Sequence, residues 1–341
     1  MHNKPRQRNA RAWRFRALIG ALGLMMATGS AMAETTLRAS HQWPGGKGDA
    51  RDEMVNIISR EVEAANVGLK VQVFPGSSLF KPREQWGAVT KGQLDMALMP
   101  LDYAAGRHPQ FSATLMPGLV RNHDRVATVN ASPFMAEIKR IMADAGAIVL
   151  ADAWLSGGFA STKGCVTGPD SVKGLMMRAA GPAFEQMLAG AGASITSMPS
   201  SEVYTAMQTG VLSAVNTSSE SFLSFRLQEQ VKCMTLPGDN ALWFMYQPVI
   251  MSKRNFDRLT PEQQAALVAA GKKAEAFFAE KSIESDKRTA EAFKAAGVEL
   301  VNMSQQDFDA WMTIARETSY KKFAEEVEGG QALLDLAAQI P

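Results

Sequence analysis

Residues 174–215 read GLMMRAAGPAFEQMLAGAGASITSMPSSEVYTAMQTGVLSAV, and their punctuation decides the fold. Residues 174–179 are strand-like, with Arg178 near the carboxyl end. Pro182 opens a helix that runs to Leu188. Residues 194–198 read as a second strand, 201–209 as a helix closed by Gly210, and 212–215 as a third strand. Strand–helix alternation at this spacing predicts an α/β fold, a mostly parallel sheet covered by helices.

The same plan occurs upstream. A strand over 36–41 leads into the loop Trp43-Pro44-Gly45-Gly46-Lys47-Gly48. Asp49 is a good N-cap, and Met54, Val55, Ile57, Ile58 and Val62 make one helical stripe. A strand over 69–74 stops at Pro75-Gly76, a helix runs from Pro82 to Gly92, and 94–99 is a strand. Residues 88–97 laid over 206–215 share Ala, Gly and Leu, each segment passing from a helix end through Gly into a strand. Two similar α/β lobes follow, with a ligand expected in the cleft beyond the strands' carboxyl ends. Downstream the chain is helical. Thr260-Pro261-Glu262-Gln263 is a capping box, opening a helix toward Ala296 with a bend expected at Gly271. Another helix starts at Ser304 and a short one covers 331–340.

The first 33 residues stand apart. Lys4, Arg6, Arg8, Arg11, Arg14 and Arg16 precede an apolar run over 17–26, which is too short to span a bilayer. Ala31-Met32-Ala33 completes a secretory signal with an A-x-A site, the alternative being an N-terminal anchor. Removing these six basic residues from 36 leaves 30 against 34 acidic, a formal charge of −4. That charge argues against nucleic acid as a partner. A chain 46% hydrophobic and 21% charged is also neither disordered nor fibrous. The expected product is periplasmic, without direct membrane insertion. Export permits a disulfide between Cys165 and Cys233, the alternative being two buried thiols.

Catalytic patterns are missing: there is no G-x-S-x-G elbow, Walker loop, H-E-x-x-H or paired nucleophile and base. The Gly45–Gly48 stretch lacks phosphate-loop spacing and reads as a turn before a helix. His41, His108 and His123 are scattered, so no metal or other cofactor is expected. Asp95 is a base or a cap. Arg178 is different. At a strand's carboxyl end its guanidinium fork projects toward the cleft, to take a carboxylate or to make a salt bridge.

The runs VKGLMMR (172–178) and SEVYTAMQTGV (201–211) resemble the solute-binding proteins of TRAP (tripartite ATP-independent periplasmic) transporters, of the dicarboxylate-receptor type. FPG (74–76), KGQLDM (91–96) and LTPEQQ (259–264) extend the likeness over nearly all of the chain after the leader. The resemblance implies a two-lobed periplasmic-binding-protein-like fold with a long C-terminal helix bridging both lobes. Lobe I would hold 34–153 and 242–285, and lobe II 154–241 and 286–341. It also implies capture of a small organic acid and docking to a two-component membrane permease. Arg178 takes the position that grips the ligand carboxylate. Where the family reads D-G-x-E-N, this chain reads SAVNT (213–217), so the family's Asn contact falls at Thr217 beside Asn216, with Ser218 and Ser219 as substitute hydroxyls. The family's early acidic residue falls near Pro82, leaving Lys81 as a second cation. A second family Arg falls near Gly158 or Phe159. Trp43, Met99, Tyr103, Trp154 and Phe159 complete the expected ligand set. Alternative roles are a receptor for an ATP-driven importer or a sensor, and an exported hydrolase or isomerase using Asp95 or a histidine.

Overall fold

Twelve strands form two sheets in the computed structural model, which describes residues 34–239 and 241–340. The expected signal segment lies outside the described residues. In chain order the strands are β1 (Thr35–Ser40), β2 (Leu69–Phe74), β3 (Met96–Leu98), β4 (Ala147–Ala151), β5 (Trp154–Ser161), β6 (Met176–Ala179), β7 (Ser194–Ser197), β8 (Ala214–Ser218), β9 (Cys233–Leu236), β10 (Trp243–Tyr246), β11 (Val249–Ser252) and β12 (Glu299–Asn302). The first sheet has the order β2-β1-β3-β11-β4. The second has the order β12-β9-β5-β8-β6-β7, with β10 paired to β5.

Neither sheet is as parallel as the alternation predicts. β1 pairs parallel with β2 and β3, but β11 runs antiparallel to β3 and β4. In the second sheet β6 pairs parallel with β7 and β8, whereas β5 is antiparallel to β8, β9 and β10. The reason is the connection between sheets. Only Asp152 and Ala153 separate β4 from β5, and only Gln247 and Pro248 separate β10 from β11. The chain thus passes straight from one sheet to the other twice, and each crossing inserts an antiparallel strand. β10, expected within lobe I, therefore lies in the second sheet.

One helix reaches both sheets. Pro261–Ala295 is unbroken over 35 residues, roughly 50 Å at the standard rise. Thr260 accepts from the Gln263 N–H at 3.3 Å while the Thr260 N–H reaches Gln263 Oε1 at 3.2 Å, the expected reciprocal cap. Leu267, Ala270, Ala274 and Phe278 pack with Met54, Val55 and Ile58 of helix Ala50–Ala64 against the first sheet. Phe293 packs with Phe222 and Met234 on the second. Gly271 marks no bend. A Cβ there would lie 2.1 Å from the Leu150 carbonyl, so glycine lets the helix seat directly on β4. Gly271→Ala is expected to cost about 1–3 kcal/mol, because rigid backbone must move. Urea unfolding checks this, and an unchanged midpoint would contradict the seating.

Boundaries elsewhere shift for local reasons. Residues 81–84 form a turn, so the helix expected at Pro82 starts later, as Gln85–Thr90. The helix opened by Ser304 passes through a π turn, Arg316–Tyr320, before Lys321–Glu326. The last helix, Gly330–Ala338, packs on Pro133–Asp144 through Leu333 and Ala337, beside first-sheet residues. Cys165, in the coil after β5, is disulfide-bonded to Cys233 at the start of β9.

Candidate functional site

Arg178 is the penultimate residue of β6, beside Val215 of β8 and Thr196 of β7, and it is 1% exposed. Burial disfavours its charge and lowers its pKa, with Tyr103 opposing. Three hydrogen bonds fix the guanidinium. Nε donates to the Met198 carbonyl at 3.0 Å, Nη1 to the Asn216 carbonyl at 2.8 Å, and Nη2 to the Tyr103 hydroxyl at 3.1 Å. A guanidinium carries five N–H bonds, so each terminal nitrogen keeps one. Those two donors suit a carboxylate.

Tyr103 brings the two sheets together here. It sits on the turn Leu101–Ala104 after β3, and its oxygen also accepts the Ser200 N–H at 3.0 Å. Its own hydroxyl proton remains to donate. Next to it, Asp102 is buried without a well-formed hydrogen bond to either oxygen. Burial and the Glu185 carboxylate push its pKa up to about 7, against weaker pulls from Ser112, Arg83 and Arg178. Below about pH 7 the protonated acid competes little with a ligand for Arg178.

A second group comes from the loop after β1, at the carboxyl end of a parallel strand. His41, Gln42 and Trp43 are each at most 3% exposed. His41 Nδ1, both amide atoms of Gln42 and Trp43 Nε1 have no hydrogen-bond partner. Three consecutive buried side chains with unsatisfied polar atoms call for an occupant, because each such atom costs about 1–3 kcal/mol when left unpaired. Asn216 presents the same signature, fully buried with both amide atoms unpartnered, and Trp243 Nε1 and Gln247 Oε1 add to it. Arg51 ties the loop to β8. Its guanidinium lies 4.1 Å from the Trp43 ring centre and donates to Ser218 Oγ at 3.3 Å and Ser221 Oγ at 2.8 Å. Asp49 takes its charge through two bonds of 2.9 and 2.7 Å.

The glycine loop is no phosphate cradle. The Gly46 N–H goes to Asp52, the Ala50 N–H to Glu220 and the Arg51 N–H to Asp49, so protein carboxylates take the donors. Against the upward push of burial, His41 and the Gly46 N–H hold Asp52 below its ordinary pKa. Glu220 goes the other way, raised by burial and by nearby Asp49.

The structure brings together Arg178, Tyr103, Asn216 and, through Arg51, Trp43. Other expected ligand residues have other surroundings. Ser218 caps helix Ser219–Ser224, and Ser219 donates to Asp286. Thr217 is buried opposite Gly158 in the β5–β8 pair. Phe159 stacks on Trp311 with centroids 6.0 Å apart. Trp154 packs on Tyr246 and donates to Asn130 at 2.7 Å. Met99 lies in the core, and Lys81 is exposed. Asp95 accepts the Arg38 N–H at 2.8 Å and an Asn255 N–H at 2.6 Å, a structural role. His41 and His123 bond Asp52 and Asp286. Gln42, Arg51, Trp243 and Gln247 escaped the sequence reading. A groove of about 600 Å³ between Pro133–Asp144 and the last helix holds none of these groups. The unsatisfied buried atoms, rather than that surface hollow, mark the candidate site.

Comparison with known proteins decides the family. Residues 49–326 match the model for bacterial extracellular solute-binding protein, family 7. The chain belongs to that family. A "Solute-binding protein" of Albidiferax ferrireducens is 39% identical over 314 residues, 91% of this chain and 93% of the relative. A crystal structure of a TRAP periplasmic solute-binding protein from Rhodoferax ferrireducens, with bound malonate, superposes with a TM-score of 0.86 at 39% identity, covering 89% of this chain and 98% of that one. A TRAP periplasmic solute-binding protein of Bradyrhizobium, in complex with galacturonate, gives a TM-score of 0.79 at 26% identity, covering 90% and 99%. The family 7 chain thus has the two-sheet architecture of the TRAP receptors, and its long helix is the one expected to bridge both halves.

Proposed function

We propose that this family 7 protein is exported through a cleaved leader and captures a small organic acid between its two sheets, for delivery to a TRAP-type membrane permease. The carrying observation is Arg178, buried, held on three sides and left with one N–H on each terminal nitrogen. Tyr103 and Asn216 complete the carboxylate end, and the loop 41–43 closes over the rest. Relatives bound to malonate and to galacturonate support a carboxylate ligand. Membership in a binding-protein family supports capture without turnover. Among the described residues no helix is long and apolar enough to cross a membrane, which fits a receptor that docks to a separate permease.

Binding closes the cleft only through contacts absent from the open form. The Tyr103–Arg178 bond and the Arg51–Ser221 bond join residues 75 and 170 positions apart and suit that role. A thermal-shift screen of keto, hydroxy, sugar and aromatic carboxylates tests the reading. A true ligand at 100 times its Kd should add about 2.7 kcal/mol of stability. No shift from any carboxylate would overturn it.

A further inference from the structure

We infer that the ligand is a monoanion, a single carboxylate on a body whose other polar groups are neutral and both donate and accept hydrogen bonds. This rests on the proposed function and deepens it. The first argument is charge. Among the described residues, Arg51 and Arg178 are the two buried guanidinium groups. Asp49 neutralises Arg51 through a two-bond pair, so Arg178 alone is left for a ligand. Arg83, a further cation beside Tyr103, is exposed, 5.7 Å from the Tyr103 ring centre and bonded to Ser197 Oγ at 2.7 Å. Asp102, next to Tyr103, is a further buried acid and supplies no positive charge. A second carboxylate would enter without a buried partner, which costs several kcal/mol.

The second argument is hydrogen-bond type. The amides of Gln42 and Asn216 each present an unsatisfied acceptor oxygen as well as an unsatisfied donor nitrogen. An ionised carboxylate only accepts, so it would leave both oxygens buried and unpaired. A hydroxyl or an amide satisfies oxygen and nitrogen alike. The unpartnered N–H groups of Trp43 and Trp243 add donors for carbonyl or ring oxygens on the same body.

Calorimetric titration with matched pairs tests this on the purified protein: malonamate against malonate, succinamate against succinate, and galacturonate against galactarate. In every pair that binds, the monoacid should be at least about tenfold tighter, the smallest effect consistent with burying an unpaired charge. Diacids that bind as tightly or tighter would overturn the monoanion while leaving the receptor function intact. Silence from all six would overturn both. Gln42→Leu, shown by circular dichroism to be folded, should weaken the monoacid at least about tenfold and the diacid less. Equal losses, or none, would contradict the role given to the amide.

Discussion

Arg178→Ala is expected to abolish tight ligand binding, with a loss of about 100- to 1,000-fold from two charge-assisted hydrogen bonds. The guanidinium also serves the fold, since it satisfies the Met198 and Asn216 carbonyls and the Tyr103 hydroxyl. Some loss of stability should accompany the loss of affinity. Arg178→Lys separates the two effects. The ammonium keeps the charge but replaces a planar fork with a point donor, so affinity should still fall while much of the stability returns. Isothermal calorimetry beside urea unfolding reads both quantities. Unchanged affinity in a folded Ala variant would remove Arg178 from the site.

Asp102 gives the second large effect, in stability against pH. Its pKa is about 7 in the folded protein against 3.8 for the ordinary residue. Below pH 4 both folded and unfolded chains hold the proton, and there is no penalty. Between pH 4 and 7 the unfolded chain releases it first, so stability falls as pH rises. Above pH 7 the full penalty, about 4 kcal/mol for a shift of this size, is present. Asp102→Asn removes the titrating group. The variant should match the parent near pH 4 and exceed it by up to about 4 kcal/mol at pH 8. Parallel unfolding profiles for the two proteins would show that Asp102 ionises normally.

Local chemistry made much of the fold readable. Asp49, Ser304 and the Thr260 box each cap the helix they announce, because a cap is a contact over two or three residues. Long-range geometry was hidden. Gly271 suggests a bend, yet its purpose depends on a β4 carbonyl more than 100 positions away. Antiparallel β5 and β11 arise from the two passages between sheets, which hydrophobic alternation cannot reveal. The site divides in the same way. Arg178 is a candidate from the sequence because a lone guanidinium at a strand's carboxyl end is conspicuous there. Gln42 stands out because its buried amide lacks partners, a property of the assembled molecule alone, and the same property singles out Asn216 among the residues already expected. Aromatic type alone does not separate wall from core: Tyr103 bonds Arg178, whereas Phe159 stacks on Trp311 and Trp154 packs in the first core cluster.

The most direct measurement is a crystal structure of the protein with a monocarboxylate that stabilises it in the thermal screen. The carboxylate should sit within hydrogen-bond reach of Arg178 Nη1 and Nη2, with the neutral end against Gln42 and Asn216. A ligand held elsewhere, with Arg178 untouched and those two amides still unpaired, would contradict the account.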